Sequence, residues 1–290
     1  MSTEPDAQDA PRFFRTRDLA AEGWTAKRLA RAVRDGSFLR LRKGVYGQPG
    51  LPEECASAVR IGGRLCGSSE LRRRGVFVQD HPGTHVHIEP EASRLPPVPE
   101  GIHVQRGMLR RTPHPRSCSV EVLDAVIQSA KGQPWREGLA TIESAVQLGV
   151  LRIDELGEVF AALPRRYRRA RRWLDTRSES GTETIMRLIA LELGAGVEVQ
   201  VWIRGVGRVD LVIDGWLIVE CDSERFHSDW RQRREDLRRD QAAARLGYST
   251  YRPIAEDIMW HRDEVRAALA GLLAGGRPAR ARRAGTMSRG

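Results

Sequence analysis

The sequence predicts a multi-domain α/β protein: an N-terminal winged helix, an α+β connector, and a C-terminal core with a mixed sheet flanked by helices. Three observations carry this expectation. The chain has 290 residues, more than a single hydrophobic core usually holds. Near its start, two short capped helical patterns run into a basic hairpin pattern. From Ser178 onward, a long amphipathic helix leads into strands whose apolar runs are interrupted by carboxylates.

Charge narrows the partners. Lys and Arg number 48 against 38 Asp and Glu, a net charge of +10, with arginine far the commoner cation. Such an excess attracts a polyanion and makes its binding salt-dependent, so nucleic acid is the first partner to consider. Cys55, Cys66, Cys118 and Cys221 are scattered without a C-x-x-C pair, which argues against a zinc ribbon or a disulfide framework. No apolar run approaches the roughly 20 residues that span a bilayer, and the leader is acidic and polar. A cytoplasmic protein with no membrane association and no small-molecule cofactor is expected; oligomeric state is left open.

Residues 1–12 read as a disordered leader. In 13–50, Thr16-Arg17-Asp18-Leu19 opens a helix that Gly23 ends, and Thr25 caps a second helix that Asp35-Gly36 stops. Phe38 to Tyr46 reads as a two-stranded wing with Lys43-Gly44 near its turn, completing a winged helix. Lys27, Arg28 and Arg31 on the second helix, and Arg40, Arg42 and Lys43 on the wing, are candidate DNA contacts. A solvated basic face is the competing reading.

Residues 51–160 predict an α+β connector, with a helix near Glu53 to Ile61, extended segments at Thr84 to Ile88 and Gly101 to Arg106, and helices from Val120. His81, His85 and His87 lack a carboxylate or cysteine to complete a metal set, so a solvent-facing alternation is expected there. Residues 161–177 form a basic linker helix, with Arg165, Arg166, Arg168 and Arg169 as further candidate nucleic-acid contacts and aromatics interleaved. Residues 276–290 read as a disordered basic tail.

In 178–275, Glu183 lies in the first turn of the amphipathic helix. Three antiparallel strands follow, with Asp210 in the second and Glu220 and Asp222 on the third. Ionised carboxylates in apolar strands need compensation, and a shared divalent metal supplies it economically. Alternation puts Glu220 and Asp222 on one face. A two-residue loop at Asp214-Gly215 turns Asp210 away from them, so the chemistry predicts an odd loop, pairing Asp210 with Ile218. His227 follows, then a helix with Arg234, Asp236, Arg239 and Asp240, a fourth strand ending near Arg252, and a last helix. Glu183 also suits a helix start, Asp222 a turn, and Asp236 with Arg239 an intrahelical ion pair.

Residues 13 to about 160 resemble the AbiEi-type antitoxin module, through Asp18-Leu19, the Gly23 turn and Arg40-x-x-Lys43-Gly44-Val45-Tyr46. The resemblance implies promoter binding and repression. Residues 178–275, through Glu183, Asp210, Glu220-x-Asp222, His227, Asp236-x-x-Arg239-Asp240 and Arg252, resemble the very-short-patch-repair (Vsr-like) branch of the PD-(D/E)XK endonucleases, with their restriction-endonuclease-like core. That resemblance implies an Mg²⁺- or Mn²⁺-dependent endodeoxyribonuclease in DNA repair or defence against foreign DNA. Catalytic residues would be Glu183, Asp210, Glu220, Asp222, His227, Asp236 and Arg239. Asp210, Glu220 and Asp222 would hold the metal, and Arg234 would contact DNA. Asp222 stands where the superfamily usually has lysine, and the repair enzyme's zinc ligands have no counterpart, so no zinc is expected. The rival expectation is a DNA-binding regulator or type IV antitoxin-like protein whose nuclease core is inactive.

Overall fold

A computed structural model describes residues 11–79, 82–93, 95–221 and 230–276. The protein is mixed α/β, with three sheets among the described residues, and it divides into two compact units, residues 1–171 and 172–290.

The first unit begins with β1 (Phe13–Arg15), α1 (Thr16–Ala21), α2 (Ala26–Arg34), β2 (Leu39–Arg42) and β3 (Val45–Gly47). The Thr25 hydroxyl caps α2 by accepting from the Arg28 amide at 3.2 Å. Gly23 and Gly36 end the two helices with φ of 82° and 79°, a conformation that costs glycine little. Leu29 and Ala32 point inward from α2, leaving its basic residues outside. The strands form an antiparallel sheet in the order β1-β3-β2.

These elements do not close a core of their own. Phe13, Leu41 and Val45 pack in one cluster with Cys55, Val59, Leu65, Val86 and Cys118. Strands of three or four residues offer too few inward side chains, so residues 13–50 complete their core with the segment that follows. That segment contains α3 (Glu53–Arg60), β4 (Arg64–Leu65), α4 (Gly67–Arg73), β5 (Thr84–Ile88) and β6 (Ile102–Arg106). Its sheet runs β4-β5-β6, antiparallel then parallel. The solvent-facing alternation expected at β5 fails at His87, which is 2 % exposed, with its pKa lowered by burial. Val86, His87 and Ile88 are buried in succession, so both faces of the strand are covered, with α3 and α4 packed against it; His81 lies outside the described residues.

Helices α5 (Val122–Gly132), α6 (Trp135–Gln147), α7 (Leu156–Ala162) and α8 (Arg165–Ala170) complete the unit. The basic run at α8 is anchored rather than free. Tyr167 is fully buried and donates its hydroxyl to the Ala130 carbonyl, and its ring occupies the space that a side chain at Gly138 would need. The division between the units therefore falls after Arg171, inside the stretch expected as a linker helix.

The second unit contains α9 (Gly181–Glu192), β7 (Val197–Ile203), β8 (Gly207–Ile213), β9 (Leu217–Val219), α10 (Trp230–Arg245), β10 (Ser249–Tyr251), α11 (Ala255–Trp260) and α12 (Arg262–Gly275). Its sheet order is β10-β9-β8-β7, antiparallel from β7 to β9 and parallel between β9 and β10. A parallel pair needs a crossover, and α10 lies in that connection. Ala242 and Ala243 of α10 pack on Val212 and Ile218, their small side chains admitting close approach of helix to sheet.

Gly138→Ala tests the anchoring of α8. The added methyl should destabilise the first unit by about 1–3 kcal/mol through overpacking against Tyr167. An unchanged thermal midpoint in calorimetry would show that Tyr167 moves aside at little cost.

Candidate functional site

The hairpin between β8 and β9 fixes the register of the acidic residues. Asp214 and Gly215 have φ of 48° and 70°, and the Trp216 amide donates to Ile213 at 3.1 Å, so Trp216 is left as an extra residue before Leu217 pairs with Ile213. The connection is thus odd, as the chemistry required. Its register differs from the expected one: Ile218 faces Val212, and continuing the ladder past Leu211 and Val219 sets Asp210 opposite Glu220 itself. The Cys221 amide donates to Asp210 Oδ2 at 2.8 Å, joining the two strand ends.

Glu220 is held from two sides. Oε1 accepts from Arg239 Nη2 at 3.0 Å and Oε2 pairs with Arg252 Nη1 at 2.6 Å, while its amide donates to the Tyr251 carbonyl. Arg252 also pairs with Asp240 at 3.0 Å. Arg239 reaches the carbonyls of Val206 and Arg208 at 3.2 and 2.6 Å. Asp236 sits only 4.0 Å from Arg239 at the rim, so the intrahelical pair is the weakest of that cation's contacts and Asp236 does not enter the acidic cluster. Burial pushes the Glu220 carboxyl above the usual carboxylate range, with Asp210 and Asp240 adding to the rise and Arg252 and Arg239 opposing it.

Glu183 is 5 % exposed in the first turn of α9. Its amide donates to the Ser180 hydroxyl at 3.2 Å, and its Oε2 accepts from the Glu179 amide at 2.9 Å, so it does serve the helix start. The same oxygen also accepts from Gln200 Nε2 at 2.8 Å. Gln200 was not singled out in the sequence, where it stands as one polar residue in an alternating strand. Flanked by the pairs Val199 with Leu211 and Val201 with Val209, it falls opposite Asp210. It adopts φ of 54°, and among the described residues its buried Oε1 has no hydrogen-bond partner. A left-handed glutamine and a desolvated carbonyl each cost on the order of 1–3 kcal/mol. The only foreshadowing in the sequence is a glutamine among valines.

The second unit thus brings together Glu183, Gln200, Asp210, Glu220, Arg239 and Arg252. Asp222 and His227, expected as metal ligand and acid–base group, lie outside the described residues. Among the described residues, no three or more His, Cys, Asp or Glu side chains are grouped to hold a metal ion. Two other buried carboxylates are satisfied without one: Glu70 by Arg73 and Arg74 at 2.6–2.8 Å, and Asp124 by the Arg110 and Arg111 amides at 2.8 and 2.9 Å.

Of the expected nucleic-acid contacts, Lys27, Arg28, Arg31, Arg40 and Lys43 are exposed, with Arg28 stacked 4.0 Å from the Trp24 ring centroid. Arg42 is exposed as well; the register is irregular between Arg40 and Arg42, its guanidinium lies close to Gly62, and partial burial, with Arg15 nearby, lowers its pKa. On α8, Arg165 and Arg169 are exposed, and Arg166 donates to the Lys131 carbonyl at 3.2 Å and stacks on Tyr167. The Arg168 side chain lies outside the described residues. Arg234 is exposed on α10.

Residues 7–47 match the AbiEi_4 family model, described as a transcriptional regulator, AbiEi antitoxin. The matched stretch covers α1, α2 and the three-stranded sheet. The N-terminal segment is therefore AbiEi antitoxin-like. Comparison with curated proteins finds no match. Among the described residues, no helix is long and apolar enough to cross a membrane.

Arg252→Gln checks the charge balance around Glu220. A carboxyl with a raised folded pKa gives stability that is full below its unfolded value, near about 4.3, and lost as pH rises through the folded value. Removing Arg252 should move that upper limit higher still. Carboxyl ¹³C titration should show the Glu220 midpoint rising, and no movement would mean that Arg252 does not govern its charge.

Proposed function

We propose that this protein is a DNA-binding transcriptional regulator of AbiEi antitoxin type, whose second unit carries a nuclease-like acidic site. The observation that carries this reading is the coincidence of the matched segment with two short helices and a three-stranded sheet that expose Lys27, Arg28, Arg31, Arg40 and Lys43. Buried Leu29 and Ala32 fix the orientation of α2, so its cations project without an entropic search for a common face. Stacking on Trp24 holds the Arg28 guanidinium, a flat donor array suited to phosphate or to guanine edges. Glu220 in the second unit already has two guanidiniums on its carboxylate, the charge compensation a nuclease would take from its cation. This favours regulation over cleavage.

Mobility-shift titrations should show duplex binding that weakens steeply with salt. Replacing Lys27 and Arg31 by glutamine should lower the slope of log affinity against log salt by about 2, roughly one unit per lost phosphate contact. Unaltered affinity and slope would remove α2 from the interface.

A second reading is that the unit cleaves phosphodiester bonds as a Vsr-like PD-(D/E)XK enzyme. The opposition of Asp210 and Glu220, with Glu183 linked to Gln200 beside them, favours it. Asp210 and Glu220 would hold the cation, but Glu220 would first have to exchange its arginine contacts, and the described residues supply only part of a ligand set. A bound Mg²⁺ would supply an activated water and neutralise charge at the scissile phosphate. Gln200 would keep Glu183 oriented, Asp222 would add a ligand, and His227 would move the proton. Under this reading, Asp210→Asn abolishes Mg²⁺- or Mn²⁺-dependent nicking of supercoiled plasmid while DNA affinity stays within about twofold, because phosphate neutralisation by arginine supplies the affinity. Equal trace cleavage by wild type and variant would assign the activity to a contaminant and leave the regulator.

A further inference from the structure

A second concentration of positive charge in the first unit lies beside β1, with Arg42 of β2 near two of its members, Arg15 and Arg64. A cleft of about 560 Å³ is lined by Arg12, Arg15, Arg17, Arg64 and Arg116, with Asp18 as the one carboxylate in its wall among the described residues and His114 beside them. The arginines come from β1 and its flanks, from β4, and from the segment that runs along the outer edge of β1, where the Phe13 amide donates to the Arg116 carbonyl at 2.9 Å.

Several of these cations are fixed in place. Arg64 donates to the Ser117 and Pro115 carbonyls and lies 5.6 Å from the Phe13 ring centroid. Arg116 is tied to Glu22 and lies 5.2 Å from the Phe14 centroid. Arg15 shares the Phe13 ring at 6.0 Å, and Arg17 reaches Asp18 at 3.5 Å. Among the described residues the five guanidiniums outnumber the carboxylates beside them, Asp18 in the wall and Glu22 on Arg116, an excess of positive charge that an anionic ligand converts into affinity. Held guanidiniums also lose less entropy on binding than free lysines would. The space exceeds that of a single phosphate. Among the described residues its wall holds five guanidiniums and no Phe, Tyr or Trp, a composition that favours phosphates in series over bases.

We propose that this cleft binds phosphates in series, as presented by a polynucleotide backbone or by a free polyphosphate. The polynucleotide source rests on the DNA-binding reading above; the free polyphosphate does not.

Isothermal titration of the full chain with inorganic tripolyphosphate, beside duplex DNA titrations, separates these sources. The variants are Arg15→Gln with Arg17→Gln, both exposed positions, and Lys27→Gln with Arg31→Gln on α2 as a control. Wild type should bind tripolyphosphate saturably. The cleft variant should lose at least tenfold in that affinity, and the α2 variant should keep it. If the cleft variant also loses DNA affinity and salt slope, the backbone is the natural occupant; if DNA binding is unchanged, the source is a free polyphosphate. Tripolyphosphate binding by a wild type that does not bind DNA would sink the regulator reading while supporting the cleft. Absence of saturable tripolyphosphate binding, or equal binding by the cleft variant and wild type, overturns the proposal.

Discussion

The second unit is organised around the charge compensation of one carboxylate. Glu220 follows β9, and its two oxygens take Arg239 from α10 and Arg252 from just beyond β10. Through the same two arginines the junction reaches the Val206 and Arg208 carbonyls at the start of β8, and Asp240 on α10. A carboxylate so poorly hydrated is tolerated only with such partners, and removing one leaves the remaining charges exposed to the full desolvation penalty. The parallel pairing of β9 with β10 and the seating of α10 are locked to one another by this cluster as well as by apolar packing.

The cluster bears directly on function. Two arginines on a carboxylate do electrostatically what a divalent cation does, and the chain uses the same solution at Glu70. A buried carboxylate in an apolar strand is therefore not by itself a signature of metal in this protein. What sets the second unit apart from Glu70 and Asp124 is the alignment of four polar groups: Glu183 linked to Gln200, Gln200 opposite Asp210, and Asp210 opposite Glu220. The strained backbone of Gln200 and its unpartnered buried oxygen fall within that line.

Positive charge in the first unit is likewise arranged rather than spread. Stacking on Trp24, Phe13 and Phe14 holds guanidiniums on the α2 face and in the cleft beside β1. The family match ends at residue 47, whereas the cleft is completed by Arg64 and by residues 112–116. The shared core explains how this is possible, since the three-stranded sheet is buried against the following segment and brings those arginines to its edge.

The sequence by itself determined the elements and much of the acidic set. Capping by Thr25, left-handed glycines at 23 and 36, strand alternation and the helix at 181–192 are local effects, carried by residues close to one another in the chain. The parity that puts Asp210 and Glu220 on one face was expected from the convergence of the two carboxylates and not from Asp214-Gly215, whose local chemistry suits a two-residue loop as well. Tertiary structure alone decided the rest. It chose Glu220 rather than Ile218 as the position opposite Asp210, made residues 13–50 share a core with residues 51–118, anchored α8 through Tyr167, and buried His87. It also gathered five arginines into one cleft and gave Gln200 its place beside Glu183. Long-range register and packing set these features. Sequence periodicity says which face a residue takes, but only the closed fold says what lies across from it.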